Sequence, residues 1–270
     1  MRQWRLIYDN PAVGAWNMAV DEAIMEAVGL GQSPPTLRLY AWNPPCLSLG
    51  YGQHYTDVDF TRIADFGWDV VRRPTGGRAI LHTDELTYSL SLPAEDQLAA
   101  GTIVESYQRI SLALLAGLSY LDAAPRADQR AEHIEVGPVC FETPSHYEIT
   151  VQGRKLVGSA QMRRKNAVLQ HGSMPLFGDI AQICNALIFS GDNARLTAEG
   201  HVRQRALTLS DALGHEVSWD DAANAVIEGF AETFDVDFQQ FESALTQAEF
   251  SRAEELYSTT YATPEWTQRR

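Results

Sequence analysis

An α+β fold is predicted by two kinds of pattern in this chain of 270 residues. Short stretches alternate apolar and polar side chains, as strands of a half-buried sheet do, and 86–92 is the clearest of them. In 102–121, apolar residues recur three and four positions apart, which is typical of a helix with one buried face. No repeat or linker separates the two kinds of segment, so we expect one compact α+β domain.

The individual elements follow from apolar spacing and from the residues that bound it. Strands are predicted at 4–8, 36–42, 46–51, 68–73, 86–92 and 167–176, and a hairpin with strands at 147–151 and 156–160. Helices are predicted at 15–28, 57–66, 102–121, 180–189, 208–213, 218–234 and 247–257. Gly29 and Gly31 end the first helix, and Ser218 begins the sixth as its N-cap. The polar stretch 125–135 is expected to be a mobile connection.

The composition excludes several classes of protein. With 35 acidic and 21 basic side chains the formal charge is −14, which repels a phosphate backbone, so nucleic acid is not an expected partner. No apolar run approaches the roughly 18 residues of a membrane span. The first residues also lack the apolar segment of a signal peptide, so we expect a cytoplasmic protein without membrane association. Cys46, Cys140 and Cys184 lie far apart, which argues against a disulfide framework and a structural zinc site.

A paired-glycine stretch is the first candidate for a binding site. Residues 72–82 contain Gly76 and Gly77, three arginines and His82. Paired glycines let a ligand approach the backbone closely, and arginines can hold a phosphate or carboxyl group. An ordinary hairpin turn explains the glycines equally well. A second basic stretch, 154–165, suits an acidic ligand or carrier, with a solvated face as the alternative.

A cysteine and a lysine form the candidate catalytic pair. Cys140 lies in a proline-flanked polar stretch that suggests a loop, and Lys155 lies in the hairpin that follows. A nearby ammonium lowers the pKa of a thiol and so favours the nucleophilic thiolate. The alternative is a small buried cysteine without chemistry. Two histidines, His146 and His171, are further candidates, although a histidine within a strand is more often structural.

Four motifs together resemble the lipoate-protein ligase and octanoyltransferase family. In order along the chain they lie at 72–78 with His82, at 140–145, at 153–161 and at 169–173. The stretches 16–19 and 261–266 agree with the family as well. The resemblance implies a fold shared with biotin ligases, in which a mixed, mainly antiparallel sheet flanked by helices forms an acyl-binding tunnel. It also implies a single domain over 1–270, in which 31–245 form the catalytic core with 1–30 and 246–270 packed on it.

The resemblance implies roles for particular residues. The acyl chain and its head would lie among substrate-binding residues from two motifs: Arg73, Thr75, Gly76, Gly77, His82, Gly158 and Ser159. Lys155 would contact the acyl carbonyl. Backbone N–H groups near Gly76 and Gly77 or near Ser159 would stabilise the oxyanion. Two positions depart from the family pattern: Arg78 stands where many ligases have a third glycine, and His146 where an aromatic residue is expected.

The cysteine places the chain closest to the transferase branch of the family. In that branch Cys140 would take an octanoyl group from octanoyl-acyl carrier protein and pass it to a lysine of a lipoyl-domain protein such as the glycine-cleavage H protein. A thioester donor is already activated, so no ATP or other cofactor is needed. Three alternatives stay open: an ATP-dependent lipoate-protein ligase, an amidotransferase that moves octanoyl between lipoyl domains, and a non-catalytic binding protein.

Overall fold

The computed structural model describes residues 1–128, 148–239 and 245–270. The strands are β1 Arg2–Tyr8, β2 Thr36–Tyr40, β3 Cys46–Leu49, β4 Asp69–Arg72, β5 Ile80–His82, β6 Glu85–Pro93, β7 Pro125–Asp128, β8 Glu148–Val151, β9 Arg154–Arg164, β10 Ala167–Pro175 and β11 Val236–Gln239. The helices are α1 Gly14–Gly29, α2 Phe60–Asp65, α3 Ile103–Tyr120, α4 Asp192–Arg205, α5 Leu209–Leu213, α6 Trp219–Phe234, α7 Gln247–Leu256 and α8 Pro264–Thr267.

Eight of these strands form one sheet in the order β11-β1-β2-β6-β10-β9-β8-β7. The pairs from β2 to β7 are antiparallel, and β1 pairs in parallel with β2 and β11. A smaller sheet has the order β4-β3-β5. This architecture confirms the predicted α+β class and its mixed, mainly antiparallel sheet.

Helices cover both faces of the large sheet. On one face α3 and α6 bury apolar side chains of the central strands, with Leu114 and Phe230 fully buried between them. On the other face α1 packs with α7 against Ile7 and Tyr40. A third apolar cluster joins the small sheet to α4 and to a 3-10 segment, Ile180–Ala186. The centre of the large sheet is therefore buried on both sides, and β10 is buried from Ala167 to Met174.

Local sequence signals fix several element boundaries as predicted. The Ser218 hydroxyl accepts a hydrogen bond from the Asp221 N–H at the start of α6, which confirms the predicted N-cap. The hairpin turn is shorter than expected: only Gln152 and Gly153 leave the strands, both with positive φ (53° and 74°). Two residues of this kind form the tight turn that fits the twist of paired strands.

Other elements differ from the prediction. The stretch 125–135 was expected to be a connection, but its first four residues form β7 and pair with β8; residues 129–135 lie outside the described ranges. Residues 57–66 contain only the short helix α2, and 180–189 contain a 3-10 segment. The structure also adds four elements that the sequence did not indicate: β5, α4, β11 and α8.

Within the described residues, no helix is long and apolar enough to cross a membrane. The cytoplasmic location stays a prediction, as does the division into a core at 31–245 and packed flanks.

A close helix contact gives a test of the packing. A Cβ at Gly229 of α6 would lie 2.2 Å from the carbonyl oxygen of Ala113 in α3. Gly229→Ala should therefore lower the free energy of unfolding by about 1–3 kcal/mol, because the helices must move apart. Denaturant unfolding measures this value.

The matched control is Gly200→Ala in α4, where a Cβ would meet no atom within 4 Å. It should raise stability by about 0.4–1 kcal/mol, because alanine has less conformational freedom to lose on folding. Equal effects of the two substitutions would contradict the assigned helix contact.

Candidate active site

A narrow pocket opens where the small sheet meets the centre of the large sheet. Its walls come from α1, β2, β3, the 73–82 segment, β6, β9 and β10. The residues that line it are Met18, Tyr40, Trp42, Ser48, Arg73, Gly76, Gly77, Ile80, His82, Thr87, Gly158, Ser159, Ala160, His171, Gly172 and Ser173. The structure thus brings six of the predicted substrate-binding residues to one cavity; the seventh, Thr75, lies just behind it.

The paired-glycine loop is built around the Arg73 side chain. The buried guanidinium donates to the carbonyl oxygens of Gly76 (2.8 Å), Arg78 (2.7 Å) and Ser48 (2.9 Å). Gly77 has a φ of +94°, which favours glycine. Gly76 and Gly77 are exposed at the pocket edge. Arg73 therefore shapes the loop at the pocket through hydrogen bonds to backbone oxygens.

Arg72, by contrast, has a structural task. Its guanidinium donates to the carbonyl oxygens of Gly50 (2.8 Å), Gln53 (2.7 Å) and Thr267 (2.7 Å). The indole N–H of Trp266 donates to the Arg72 carbonyl oxygen in return (2.8 Å). These contacts fasten α8 to β4, so the Arg72 guanidinium is engaged with backbone carbonyl oxygens of the protein.

His82 is held between a carboxylate and a hydroxyl. Its Nδ1 lies 2.7 Å from Glu85 Oε1, and its Nε2 lies 2.7 Å from Ser48 Oγ. The ring stacks on the Trp42 indole with centroids 3.9 Å apart. Both ring nitrogens are hydrogen-bonded within the protein, so His82 presents the edge and face of its ring to the pocket.

His171 is held in the same way on the opposite wall. Its Nε2 lies 2.7 Å from Thr75 Oγ1, and its Nδ1 lies 3.3 Å from Asp21 Oδ2. Burial lowers the pKa of His171 below its ordinary value, against the opposing influence of Asp21. The neutral ring is therefore the favoured form near pH 7. His171 lines the pocket, and Thr75 influences the pocket by orienting the His171 ring.

Lys155 is buried on β9, the strand that also carries Gly158 and Ser159. Its Nζ lies 3.2 Å from Glu148 Oε1, and both side chains are buried. A Cβ at Gly158 would lie 3.4 Å from Lys155 Cε, so the glycine leaves room for the lysine stem. Ser159 Oγ accepts a hydrogen bond from the Tyr88 hydroxyl (2.7 Å). The ammonium is thus held in place by a carboxylate beside the pocket wall.

Cys140 and His146 lie outside the described residues, so their predicted roles stay predictions. The two described cysteines, Cys46 and Cys184, are buried and are not joined in a disulfide. Burial raises the pKa of Cys46 well above its ordinary value, which makes it a poor nucleophile.

Four basic side chains of the second basic stretch contact other parts of the protein, and a role of this surface toward an acidic ligand or carrier stays a prediction. Lys155 pairs with Glu148, and Arg163 donates to the carbonyl oxygens of Gly101 and Thr102. Arg164 pairs with Glu22 and Lys165 with Glu26. These basic groups mostly join β9 and its turn to neighbouring elements.

Several residues of the pocket and of the hydrogen-bond network behind it were not identified from the sequence. Met18 lies in the 16–19 motif, which offered a signal. Ser48 is the one polar residue of β3, and Asp21 is a carboxylate on a buried part of α1; both patterns could have been noticed. Glu85 had no such signal, because it is the first residue of its strand.

Comparisons with known proteins agree with this geometry. The chain matches the model of the lipoyl protein ligase A/B catalytic domain over residues 14–231. An octanoyltransferase LipM from Kyrpidia tusciae is 41% identical over 277 residues, with both chains fully covered. The octanoyltransferase LipM of Bacillus subtilis is 35% identical over 275 residues, which cover 99% of this chain and 98% of the relative. The chain therefore belongs to the lipoyl protein ligase A/B family.

Solved structures of the family have the same fold. A bi-partite lipoate protein ligase from Thermoplasma acidophilum, analysed with its E2 lipoyl domain, superposes with a TM-score of 0.82 at 26% identity, covering 99% of this chain and 97% of that one. A lipoate-protein ligase A bound with ATP gives 0.81 at 27% identity, with 98% of each chain covered. The findings confirm the predicted family and fold, and the full-length relatives confirm the prediction of an octanoyltransferase of lipoate biosynthesis, an acyltransferase.

The environment of His171 gives a prediction for pH dependence. Because its pKa is lower in the folded protein than in the unfolded chain, the unfolded chain binds more protons as the pH falls below about 6.5. The free energy of unfolding should therefore decrease from pH 7.5 toward pH 5.5. In His171→Gln this decrease should be smaller, because the titrating ring is gone.

Denaturant unfolding of both proteins across this pH range measures the effect. A matched control is His201→Gln, at an exposed position of α4, which should keep the wild-type dependence. An unchanged pH dependence in His171→Gln would contradict the assignment.

Proposed function

We propose that this chain moves an octanoyl group from the thioester of acyl carrier protein to a lysine of a lipoyl-domain protein, such as the glycine-cleavage H protein, through a thioester on Cys140. The observation that carries the proposal is the pocket itself. A narrow cavity between β3 and β10 has Lys155 beside its wall, in a chain similar over its full length to octanoyltransferases.

The reaction proceeds in two exchanges. The Cys140 thiolate attacks the thioester carbonyl, a carbon–sulfur bond forms to Cys140, and the carrier leaves as a thiolate that takes up a proton. The neutral amine of the acceptor lysine then attacks the new thioester. A carbon–nitrogen bond forms, the Cys140 thiolate leaves, and the amine proton passes to solvent. The donor is already activated, so the exchange needs no ATP.

Lys155 has an electrostatic role in both exchanges. A positive charge stabilises the attacking thiolate and the oxyanion of the tetrahedral intermediate. The Lys155 ammonium lies 3.2 Å from the Glu148 carboxylate, and both side chains are buried. In the proposal this ion pair supplies the positive charge that the chemistry of Cys140 needs.

The remaining residues hold the acyl group. Met18 and Ile80 offer apolar surface to the chain, and the rings of His82 and Trp42 form one wall. Gly76, Gly77 and Gly158 leave backbone atoms accessible to the thioester head, and Ser159 offers a hydroxyl beside them. Arg73 and Thr75 support this arrangement by fixing the glycine loop and His171.

The proposal is tested by the mass of the intact protein. Wild-type protein mixed with octanoyl-acyl carrier protein in the absence of ATP should gain the mass of one octanoyl group. Cys140→Ala should gain none, because it has no thiol to form the thioester. Hydroxylamine, which cleaves thioesters, should remove the added mass.

A parallel reaction with free octanoate and magnesium-ATP separates the transferase from a ligase. The ligase alternative has support because a structural neighbour is described as bound with ATP. Attachment of octanoate to the H protein that requires ATP and persists in Cys140→Ala would overturn the transferase. The amidotransferase alternative predicts acylation from octanoyl-H protein and not from octanoyl-carrier protein.

The role of Lys155 can be tested without leaving a buried charge unpaired. Lys155→Met combined with Glu148→Gln removes both charges together, and the wild-type protein, which keeps the ion pair, is the reference. We expect the double variant to form acyl-enzyme about 100-fold more slowly than the wild type, because the transition-state charge loses its partner. Rapid-quench mass measurements give these rates, and equal rates would show that the ammonium has no part in acylation.

A further inference from the structure

The pocket is lined by many polar side chains, although the acyl chain that we propose as its ligand is apolar. Nine of the sixteen residues that line it have nitrogen or oxygen atoms in their side chains. A saturated acyl chain gains nothing from such atoms, and a donor left without a partner beside it costs about 1–3 kcal/mol. The hydrogen bonds of these side chains therefore decide whether the wall is effectively polar or apolar.

One carboxylate behind the wall receives three of these donors. Glu85 Oε1 lies 2.7 Å from His82 Nδ1 and accepts from Thr87 Oγ1 (2.5 Å), while Oε2 accepts from the Ser173 hydroxyl. Thr87 Oγ1 in turn accepts from the Trp42 indole N–H (2.8 Å). Each of these four side chains lines the pocket, whereas Glu85 does not.

Asp21 likewise accepts hydrogen bonds from side chains on the opposite wall of the pocket. It accepts from the Tyr40 hydroxyl (2.8 Å) and lies 3.3 Å from His171 Nδ1. Asp21 also forms a buried ion pair with Arg38 (2.7 Å), so its loss would leave a buried charge unpaired. Among the residues that the structure describes, Glu85 forms no ion pair with an arginine or a lysine, so its role can be tested by substitution.

Glu85 is 4% exposed, yet it is held as a carboxylate. Burial alone would raise its pKa, but the His82 ring and the hydrogen bonds from Ser173 and Thr87 hold that pKa below its ordinary value. Only the ionised form has two oxygens that act solely as acceptors, which three donors require.

We propose that Glu85 is a specificity-determining positioning residue: by accepting hydrogen bonds from His82, Thr87 and Ser173 it turns their polar atoms away from the pocket, which makes the wall selective for an unsubstituted acyl chain. The inference rests on the proposed function, because it assigns the acyl chain to this pocket. Glu85 acts through the three side chains and does not touch the substrate.

The consequence is a preference between otherwise similar acyl chains. A hydroxyl group on the chain finds no partner along such a wall and loses its hydrogen bonds to water. An apolar pocket discriminates against an added hydroxyl by up to about 100-fold. If Glu85 no longer receives the donors, they turn toward the pocket and can bind that hydroxyl, so the preference should shrink.

The experiment compares acylation of Cys140 by octanoyl thioesters of pantetheine with and without a hydroxyl group on the chain. A set of hydroxyoctanoyl thioesters, each substituted at a different carbon, covers the length of the pocket. The readout is the ratio of kcat/KM for octanoyl to that for each hydroxyoctanoyl substrate. A loss of folded protein lowers both values equally and leaves this ratio unchanged.

Two substitutions at Glu85 change the number of acceptors. Glu85→Gln keeps the shape but has one acceptor oxygen, so at least one donor must turn away; Glu85→Leu releases all three. We expect the preference for octanoyl to fall at least about tenfold for one or more of the hydroxylated substrates, and further in the leucine variant.

The matched control is Glu249→Gln, which alters a buried carboxylate of α7 that accepts from Arg5 and Ser33, none of which lines the pocket. This substitution weakens the buried ion pair with Arg5, but it should keep the wild-type ratio, because a loss of folded protein lowers both values equally. Ser173→Ala removes one of the donors and should also keep the ratio, because in the wild type this hydroxyl faces Glu85. If Ser173→Ala lost the preference for octanoyl, the inference would be overturned, even if neither Glu85 variant folds.

Wild-type ratios in folded Glu85 variants that still accept octanoyl would overturn the inference and leave the proposed function intact. A wild-type protein that accepts octanoyl from none of these thioesters and none from the acyl carrier protein would overturn both.

Discussion

The site depends on the pairing of β6 with β10 at the centre of the large sheet. The two strands pair over nine residues, from Ala167 with Pro93 to Pro175 with Glu85, and helices cover both faces. A strand buried on both faces has no side that water can reach, so each polar side chain on it needs a partner within the protein. His171 and Ser173 find theirs in Asp21 and Glu85. The polar network around the pocket is thus a requirement of the fold.

Charge has two different uses in this molecule. Most arginines near the site act as structural donors: Arg73 organises the glycine loop and Arg72 fastens the C-terminal helix, each through backbone carbonyl oxygens. The planar guanidinium suits this task because it presents several donors in fixed directions. Lys155 has a compact ammonium on a flexible stem and pairs with the Glu148 carboxylate. The arginines therefore stabilise the backbone around the site, whereas the positive charge that we propose to take part in acyl transfer comes from a lysine.

Local sequence patterns predicted many of the helices and strands, because the interactions that start and end these elements are themselves local. The apolar stripe of α3, the Ser218 cap and the hairpin around Gly153 each depend on residues a few positions apart. The motifs also led to Arg73, Gly76, Gly77, His82, Gly158 and Ser159, which the structure brings to one pocket.

The partners of these residues could not be predicted in the same way. Asp21 and His171 are 150 positions apart in the sequence, and their contact exists only once α1 lies on β10. Charge clusters are hard to interpret from sequence for a related reason, since Arg72 and Arg164 meet their partners only in the folded chain.

The two-residue turn at Gln152 and Gly153 has a consequence for how this hairpin can vary. The turn sets the register in which Thr150 faces Lys155, and successive side chains of a strand point to opposite faces of the sheet. One inserted or deleted residue would carry Lys155 to the other face, away from Glu148. The identities of the turn residues are constrained only by their positive φ, whereas the number of residues is constrained by the lysine. Among relatives that keep this lysine, the loop should therefore tolerate exchange of one residue for another far more readily than any change of length.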